Sequence, residues 1–171
     1  MIERRAPGPR YVALLRLLQT ADRIWNASRV FFAKWRLSPS QFNILNLAYD
    51  AAEGMTQTDL SRELLMHRSN VTGLVDRLEA RGLAERRELE GDRRVYRVVL
   101  TATGRKLMDE ILPRYYEAIE EVWGAMPKAE AERLSGDLQR IAANAEQTEA
   151  KLRRQLGRRR SSGRSDGRES G

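Results

Sequence analysis

The segments TQTDLSREL at residues 56–64 and SNVTGLVDRLEARGL at residues 69–83 decide the fold of this 171-residue chain. In the second segment, apolar residues recur at the spacing i, i+3, i+4, i+7, which is the period of one face of an α-helix. Gly82 follows at the position where a helix commonly ends in the left-handed conformation. The pattern predicts a helix whose buried stripe consists of Val71, Leu74, Val75 and Leu78.

A shorter helix is predicted directly before this one. Thr56 is a suitable N-cap, and Asp59 places an acid in the first helical turn. Residues 65–67 leave room only for a tight turn between the two helices. After the second helix come two strand-like runs, residues 83–88 and 95–100, joined by a Glu-Gly-Asp turn. This order of elements predicts a winged helix-turn-helix.

Long helices are predicted on both sides of this lobe. Upstream, apolar residues from Leu14 to Phe32 recur every three or four positions. Ser38-Pro39-Ser40-Gln41 then forms a capping box for the next helix. Downstream, a fifth helix capped by Thr101 keeps one apolar face from Leu107 to Met126, and a sixth helix carries an apolar seam at heptad spacing. The predicted fold class is mainly α, with an N-terminal arm at residues 1–9, a long helix at 10–37, the winged helix-turn-helix lobe at 38–101, further long helices at 102–152 and a tail at 153–171.

Positive charge is concentrated in the tail. The chain has 31 Lys and Arg against 24 Asp and Glu, a net charge of +7. Residues 153–171 hold seven Arg and two acids, so the tail contributes +5 and residues 1–152 contribute +2. Because the tail is rich in Ser and Gly and has no apolar residue after Leu156, we predict that it is disordered. It is either a solubilising tail or a basic arm attracted to the phosphate backbones of nucleic acids.

The composition leaves few functional groups for catalysis. The chain has no cysteine and a single histidine, His67, so thiol nucleophiles and Cys-ligated metals are excluded. No metal site, cofactor loop or convergent nucleophile and base is found, and we predict no enzyme and no cofactor. No window reaches the ~18 apolar residues of a membrane span, and the N-terminus lacks the apolar core of a signal peptide. We therefore expect a cytoplasmic protein that does not enter the membrane.

The exposed face of the second helix of the pair has the residue types that read double-stranded DNA. A helix fits the major groove, and its first turn must present short donors and acceptors there. Asparagine pairs bidentately with adenine, and arginine reaches guanine edges or phosphates. The hairpin tip would send an arginine, Arg93 or Arg94, into the minor groove. The predicted recognition surface consists of Arg68, Ser69, Asn70, Thr72, Gly73 and Arg77.

On these residues the chain resembles the MarR-type (multiple-antibiotic-resistance regulator) transcription factors. The resemblance implies a homodimer whose terminal helices, residues 10–37 and 102–152, are dimerisation helices. Each protomer would present its lobe to a pseudo-palindromic operator. The resemblance rests on TDLSREL at residues 58–64, the segment 69–83, GDRR at 91–94 and LTATG at 100–104.

The resemblance also implies how the hairpin, called the wing, contacts DNA and how DNA binding is regulated. Asp92 would orient a basic side chain, and Arg94 would contact the minor groove. A small-molecule effector would release a repressor by favouring a spacing of the two lobes that does not match successive major grooves. One departure is His67, which stands where relatives often have a Ser, Asp or Thr cap, so capping of the recognition helix is in question.

The first long helix contains a candidate effector site. Trp25, Arg29, Phe32 and Trp35 combine aromatic rings with a cation and suit a small aromatic or anionic molecule. The alternative is that these aromatic residues belong to the core and the dimer interface.

Two other functions stay open for the whole chain. One alternative is a nonspecific or architectural DNA-binding protein dominated by its arginine tail, and the other is a winged-helix module that binds protein.

Overall fold

The computed structural model describes residues 8–89 and 92–162, with side-chain positions for residues 8–88 and 96–156. The order of elements agrees with the sequence prediction except for one short strand, β1. The chain divides into two compact units, Met1–Tyr116 and Glu117–Gly171. The elements are α1 (Pro9–Ala33), α2 (Pro39–Asp50), β1 (Met55–Thr56), α3 (Gln57–Glu63), α4 (Arg68–Glu79), β2 (Ala84–Leu89), β3 (Asp92–Leu100), α5 (Ala102–Trp123) and α6 (Lys128–Ser162).

The wing is part of a three-stranded antiparallel sheet with the strand order β1-β3-β2. The predicted hairpin of β2 and β3 is confirmed, with Ala84 paired to Leu100. The unpredicted strand β1 pairs Met55 with Val98. Gly54, directly before β1, has a φ of 72°, and a Cβ there would lie 2.6 Å from the Val98 carbonyl oxygen. This glycine therefore lets the chain enter the sheet edge.

The helix starts follow the capping residues in the sequence. In the predicted capping box of α2, Ser38 Oγ accepts from the Gln41 amide at 3.2 Å and Gln41 Oε1 accepts from the Ser38 amide at 2.9 Å. Thr56 Oγ1 caps α3 by accepting a hydrogen bond from the Asp59 amide at 3.1 Å. Thr101 Oγ1 caps α5 by accepting from the Gly104 amide at 3.0 Å. Each cap satisfies an amide at the helix start that has no partner within the helix.

In the core of the first unit, α4 packs against α2, α3 and β2. The predicted stripe of α4 is confirmed, because Val71, Leu74, Val75 and Leu78 are all buried. Full burial of side chains of this size contributes about 1.5–3 kcal/mol each. Phe32, from the end of α1, is only 2% exposed. Its ring stacks on that of Phe42 with 4.2 Å between the centroids.

The second unit contains α6, which is longer than predicted. The helix continues to Ser162, so the prediction of disorder from Arg153 onward is wrong for residues 153–162. Arg153 Nε donates to Glu149 Oε1 one turn earlier at 2.7 Å. Arg, Gln and Leu are good helix formers, and this i, i+4 pair extends the helix. Residues 163–171 of the predicted tail lie outside the described residues. No helix in the described residues combines the length and the apolar character that crossing a membrane requires.

The turn between α3 and α4 contains a leucine in a conformation that favours glycine. Leu65 has a φ of 49°. The Leu65 amide donates to the Arg62 carbonyl and the Met66 amide to the Ser61 carbonyl, which is the Schellman pattern with Leu65 at C′. After α4 the same pattern has Gly82, with a φ of 65°, at C′. The strain at Leu65 is not compensated by burial, since its side chain is 87% exposed.

Leu65→Gly is therefore expected to stabilise the protein. Glycine removes the strain of the left-handed conformation at this position, but it loses more backbone entropy on folding than leucine does. The net increase in the free energy of unfolding is about 0.5 kcal/mol. The melting temperature followed by circular dichroism should rise by about 2 °C. The matched control is Gly82→Ala, whose Cβ would meet no atom within 4 Å, so that only the backbone strain changes. It should lower the melting temperature, and a lower value for Leu65→Gly would contradict the assignment.

Candidate nucleic-acid interface

Helix α4 has a buried face and a polar exposed face. Residues 68–70, 76 and 77 are exposed, and Thr72 and Gly73 are half-buried. Because successive residues turn by about 100°, the middle of the exposed face is Ser69, Gly73 and Asp76. Among the residues whose side chains are described, none forms a hydrogen bond with the side chains of Arg68, Asn70 or Arg77. All six predicted recognition residues therefore lie on α4, and these three side chains are available to a ligand.

His67 is the N-cap of α4. Its Nδ1 accepts from the Ser69 amide at 3.4 Å and lies 2.9 Å from Ser69 Oγ. The imidazole therefore replaces the Ser, Asp or Thr cap expected there, and the question raised by the sequence is answered in favour of capping. The imidazole therefore contacts both the backbone amide and the hydroxyl group of Ser69. The first turn of α4 is held in place before any ligand binds.

Gly73 leaves a gap in the middle of the exposed face. A Cβ at this position would have a single neighbour, Arg77 Nη1 at 3.7 Å. Glycine is therefore not required for packing within the protein. It costs about 1 kcal/mol relative to alanine inside a helix. A bare backbone in the middle of this face lets another molecule approach the helix axis closely.

A side-chain network connects α3 to α4. Thr72 Oγ1 donates to the Arg68 carbonyl at 3.0 Å. Since a hydroxyl has one hydrogen, Gln57 must donate to Thr72 Oγ1, and its amide nitrogen does so at 3.1 Å. In this orientation Gln57 Oε1 accepts from Arg86 Nε and Nη2, each at 3.0 Å. The Thr72 side chain is thereby fixed by α3 and the wing.

Arg86 is the centre of this network and joins the wing to α4. Its guanidinium donates to Asp76 Oδ1 at 2.7 Å and to Glu79 Oε2. Its backbone amide donates to the other oxygen of Glu79 at 2.8 Å. The Arg86 side chain is 22% exposed, so these contacts are only partly screened by water. The base of the wing and the recognition helix are therefore held in one arrangement.

Sequence reasoning did not find Gln57, Glu79 or Arg86. The sequence nevertheless contains a signal for Arg86 and its acidic partners. Alternate residues of a strand point to the same side, so Ala84 and Arg86 of β2 share one face of the sheet. Ala84 is buried, so an arginine on the same face requires an acid. Asp76 and Glu79 stand three residues apart on α4 and meet that requirement.

Arg81 connects the end of α4 to the end of α1. Its guanidinium donates to the carbonyl oxygens of Arg36 at 2.7 Å and Trp35 at 3.0 Å. These carbonyls follow the last turn of α1, where acceptors lack partners within the helix. A change at the end of α1 therefore has a direct hydrogen-bonded path to the recognition helix.

The wing residues predicted to contact DNA are only partly described. Asp92, Arg93 and Arg94 lie at the start of β3, and Leu89 pairs with Asp92 after a register irregularity at the end of β2. Their side chains lie outside the residues whose side chains are described. The minor-groove contact of Arg94 and the orienting function of Asp92 stay predictions.

The structure does not bring all four candidate effector residues to one open surface. Phe32 is buried against Phe42, so it belongs to the core and is removed from the candidate set. Trp25 and Arg29 are exposed on α1, and Trp35 is half-buried. Trp35 Nε1 donates to Glu110 Oε1 at 2.9 Å, which lowers the pKa of Glu110 below its ordinary value.

Two cations flank this indole. Lys34 Nζ lies 5.3 Å and the Arg114 guanidinium carbon 5.9 Å from the centroid of the Trp35 ring. Both distances are within the range of cation–π contacts. The end of α1 thus presents an aromatic ring between positive charges.

The described elements define a winged helix-turn-helix protein with long helices before and after the lobe. The sequence pattern of the MarR family matches residues 37–95. HTH-type transcriptional regulator MhqR of Bacillus subtilis (strain 168) is 30% identical over 114 residues, 67% of this chain and 78% of MhqR. Crystalline CouR from Rhodococcus jostii RHA1, bound to p-coumaroyl-CoA, is 27% identical with a TM-score of 0.66, covering 74% of this chain and 88% of CouR. The chain belongs to the MarR family, which confirms the resemblance seen in its motifs.

A second relative matches over a smaller part of its length. Transcriptional repressor MprA of Escherichia coli (strain K12) is 29% identical over 106 residues, 62% of this chain. The match covers 60% of MprA, which is less than two thirds of that protein. MhqR is named as a transcriptional regulator and MprA as a transcriptional repressor.

Proposed function

We propose that this chain is a sequence-specific DNA-binding transcriptional repressor that acts in the cytoplasm as a homodimer. It would bind a pseudo-palindromic operator, with α4 of each protomer in the major groove and Arg94 of each wing in the minor groove. A regulatory function without catalysis agrees with the names of its relatives.

The observation that carries this proposal is the contrast between the two faces of α4. One face is fixed by the core. The other presents Arg68, Asn70 and Arg77 without partners among the described residues, while Arg86 holds Asp76 and Glu79 along one side of it. A rigid helix with unused donors and acceptors is what base reading in the major groove requires. The bare position at Gly73 favours close approach.

Selection of bound duplexes from a random pool tests the proposal most directly. The purified full-length chain should enrich two inverted half-sites separated by about 10 base pairs from centre to centre. Enrichment of no sequence would refute specific binding. It would leave the nonspecific alternative, which the arginines at the end of α6 favour, and that alternative predicts a steep dependence of affinity on salt.

Asn70→Ala is expected to relax base preference at one position of each half-site. Loss of a bidentate contact to adenine weakens binding by about 1–3 kcal/mol per site. The measurement is an anisotropy titration on the selected operator and on duplexes changed at each position in turn. Glu63→Ala, an exposed position on α3, is the control and should retain wild-type preference. An equal loss of affinity on all duplexes would show that Asn70 reads no base.

Dimerisation is supported by apolar stripes in each unit. On α1, Tyr11, Leu14, Leu18 and Trp25 recur at helical spacing and are 45–58% exposed. On α6, the seam of Leu134, Leu138, Ile141 and Leu152 is 36–52% exposed. Stripes of this length on a single chain indicate a surface that another helix covers. A second copy of the chain is the proposed partner.

Ile141→Asp is expected to dissociate the dimer, since it would place a charge in an apolar seam. The loss should be at least about 2 kcal/mol, or roughly 30-fold in the dissociation constant. Sedimentation velocity over a concentration series measures it. Ala143→Asp, which adds the same charge on the opposite side of the exposed helix, should leave assembly unchanged. Equal assembly of the two variants would exclude the seam as the interface.

We also propose that an aromatic or anionic effector binds near the end of α1. Trp25 and Arg29 are exposed there, and Lys34 and Arg114 flank the Trp35 ring. The ligand named for CouR, p-coumaroyl-CoA, is both aromatic and anionic. Because Arg81 joins the Trp35 carbonyl to α4, binding there would bias the position of the recognition helix. The effector would shift that position only through its differential affinity for the two arrangements.

A further inference from the structure

The hydroxyl groups on the recognition helix are engaged within the protein. Ser69 Oγ is hydrogen-bonded to His67 Nδ1 at 2.9 Å. Thr72 Oγ1 donates to the Arg68 carbonyl at 3.0 Å and accepts from Gln57 at 3.1 Å. A hydroxyl group has one hydrogen, so Thr72 has none left to give to a base.

Thr72 is the more restricted of the two. Its oxygen is both donor and acceptor to residues of α3 and α4, and Gln57 is in turn held by Arg86. A rotation that released the hydroxyl for DNA would break two hydrogen bonds. The methyl group, Cγ2, forms no hydrogen bond, so it is the part of this half-buried side chain that is left for an apolar contact.

We infer that Thr72 reads DNA through this methyl group, in apolar contact with the C5-methyl of one thymine in each half-site. The inference rests on the proposed function, because it requires α4 to lie in the major groove. The thymine methyl is exposed in that groove, and apolar contact with it distinguishes A·T from G·C pairs. Gln57 and Arg86 are then positioning residues, since they hold the Thr72 side chain in the orientation that reads the base.

Replacing thymine by deoxyuridine removes only the C5-methyl, so it tests the contact without disturbing base pairing. Each thymine of the selected half-site is replaced in turn, and the affinity of the full-length protein is measured by fluorescence anisotropy. The wild-type protein should bind about fourfold more weakly at one thymine of each half-site, as expected for the loss of one buried methyl group. Replacement of the other thymines should have no comparable effect.

Two variants assign the contact to Thr72. Thr72→Ser keeps the hydroxyl and loses the methyl, so it should bind the thymine and deoxyuridine duplexes equally. Thr72→Val keeps a methyl and loses the hydroxyl, so it should retain the fourfold ratio even where its overall affinity falls. Because each ratio compares two duplexes on one protein preparation, a change in folding stability cancels.

Several outcomes would overturn the inference. These are a half-site without thymine, a wild-type ratio of one at every thymine, or a ratio that persists in Thr72→Ser. In each of these cases sequence-specific binding itself would still be observed. Failure of the proposed function is a different result, in which no duplex is enriched from the random pool, and it would refute the methyl contact as well.

Discussion

Gly104→Ala is expected to lower the free energy of unfolding by about 3 kcal/mol. A Cβ on Gly104 would lie 1.9 Å from the carbonyl oxygen of Leu83 and 2.9 Å from its carbonyl carbon. Both are backbone atoms, so no side-chain rotation relieves the overlap. The Leu83 carbonyl is itself fixed, because it accepts from the Thr101 amide at 3.2 Å. The start of α5 must therefore move away from the residue that precedes β2.

Urea denaturation followed by circular dichroism measures this effect. The intrinsic helix preference of alanine over glycine, about 1 kcal/mol, acts in the opposite direction. Gly136→Ala on α6 isolates that contribution, since a Cβ there meets no atom within 4 Å. The control should be slightly more stable than wild type. An unchanged urea midpoint for Gly104→Ala would mean that α5 does not approach Leu83 as closely as described.

Features set by a few neighbouring residues could be predicted from the sequence. The capping box of Ser38 and Gln41, the C′ glycine at Gly82 and the buried stripe of α4 depend on spacings of three to eight residues. At this range, backbone geometry fixes which side chains meet. The helix-turn-helix and its hairpin follow from these features, as does the face that carries Asn70 and Arg77.

Features set by contacts between distant residues could not be predicted. β1 has two residues, too few to show a strand period. The bond of Gln57 to Thr72 spans 15 positions and exists only because the core places α3 beside α4. The same cause explains Phe32, which the helical period places on one stripe with Trp25 and which packing on Phe42 buries. The prediction of disorder, which was made from composition, is wrong at residues 153–162, because this arginine-rich segment continues the helix α6.

Gly73→Leu is expected to weaken operator binding by about 3 kcal/mol, or roughly 100-fold, while the protein becomes no less stable. Within the protein a side chain at position 73 is tolerated, because only Arg77 Nη1 lies near the Cβ position, at 3.7 Å. Leucine is also a better helix former than glycine by nearly 1 kcal/mol. In the groove, however, it would stand between Ser69 and Asp76 and push the helix axis away from the base edges. The contacts of Asn70 and Thr72 would then lengthen together.

The opposite signs of these two effects make the test decisive. Thermal unfolding should show an equal or higher melting temperature, and anisotropy on the selected operator should show the loss of affinity. Gly73→Ala should fall between wild type and Gly73→Leu in both measurements. Gly136→Leu, the same substitution at a position on α6 with no atom within 4 Å of a Cβ, should bind like wild type. A Gly73→Leu variant with wild-type affinity would mean that this face of α4 does not enter the groove, because a leucine side chain cannot occupy the space that a base edge requires.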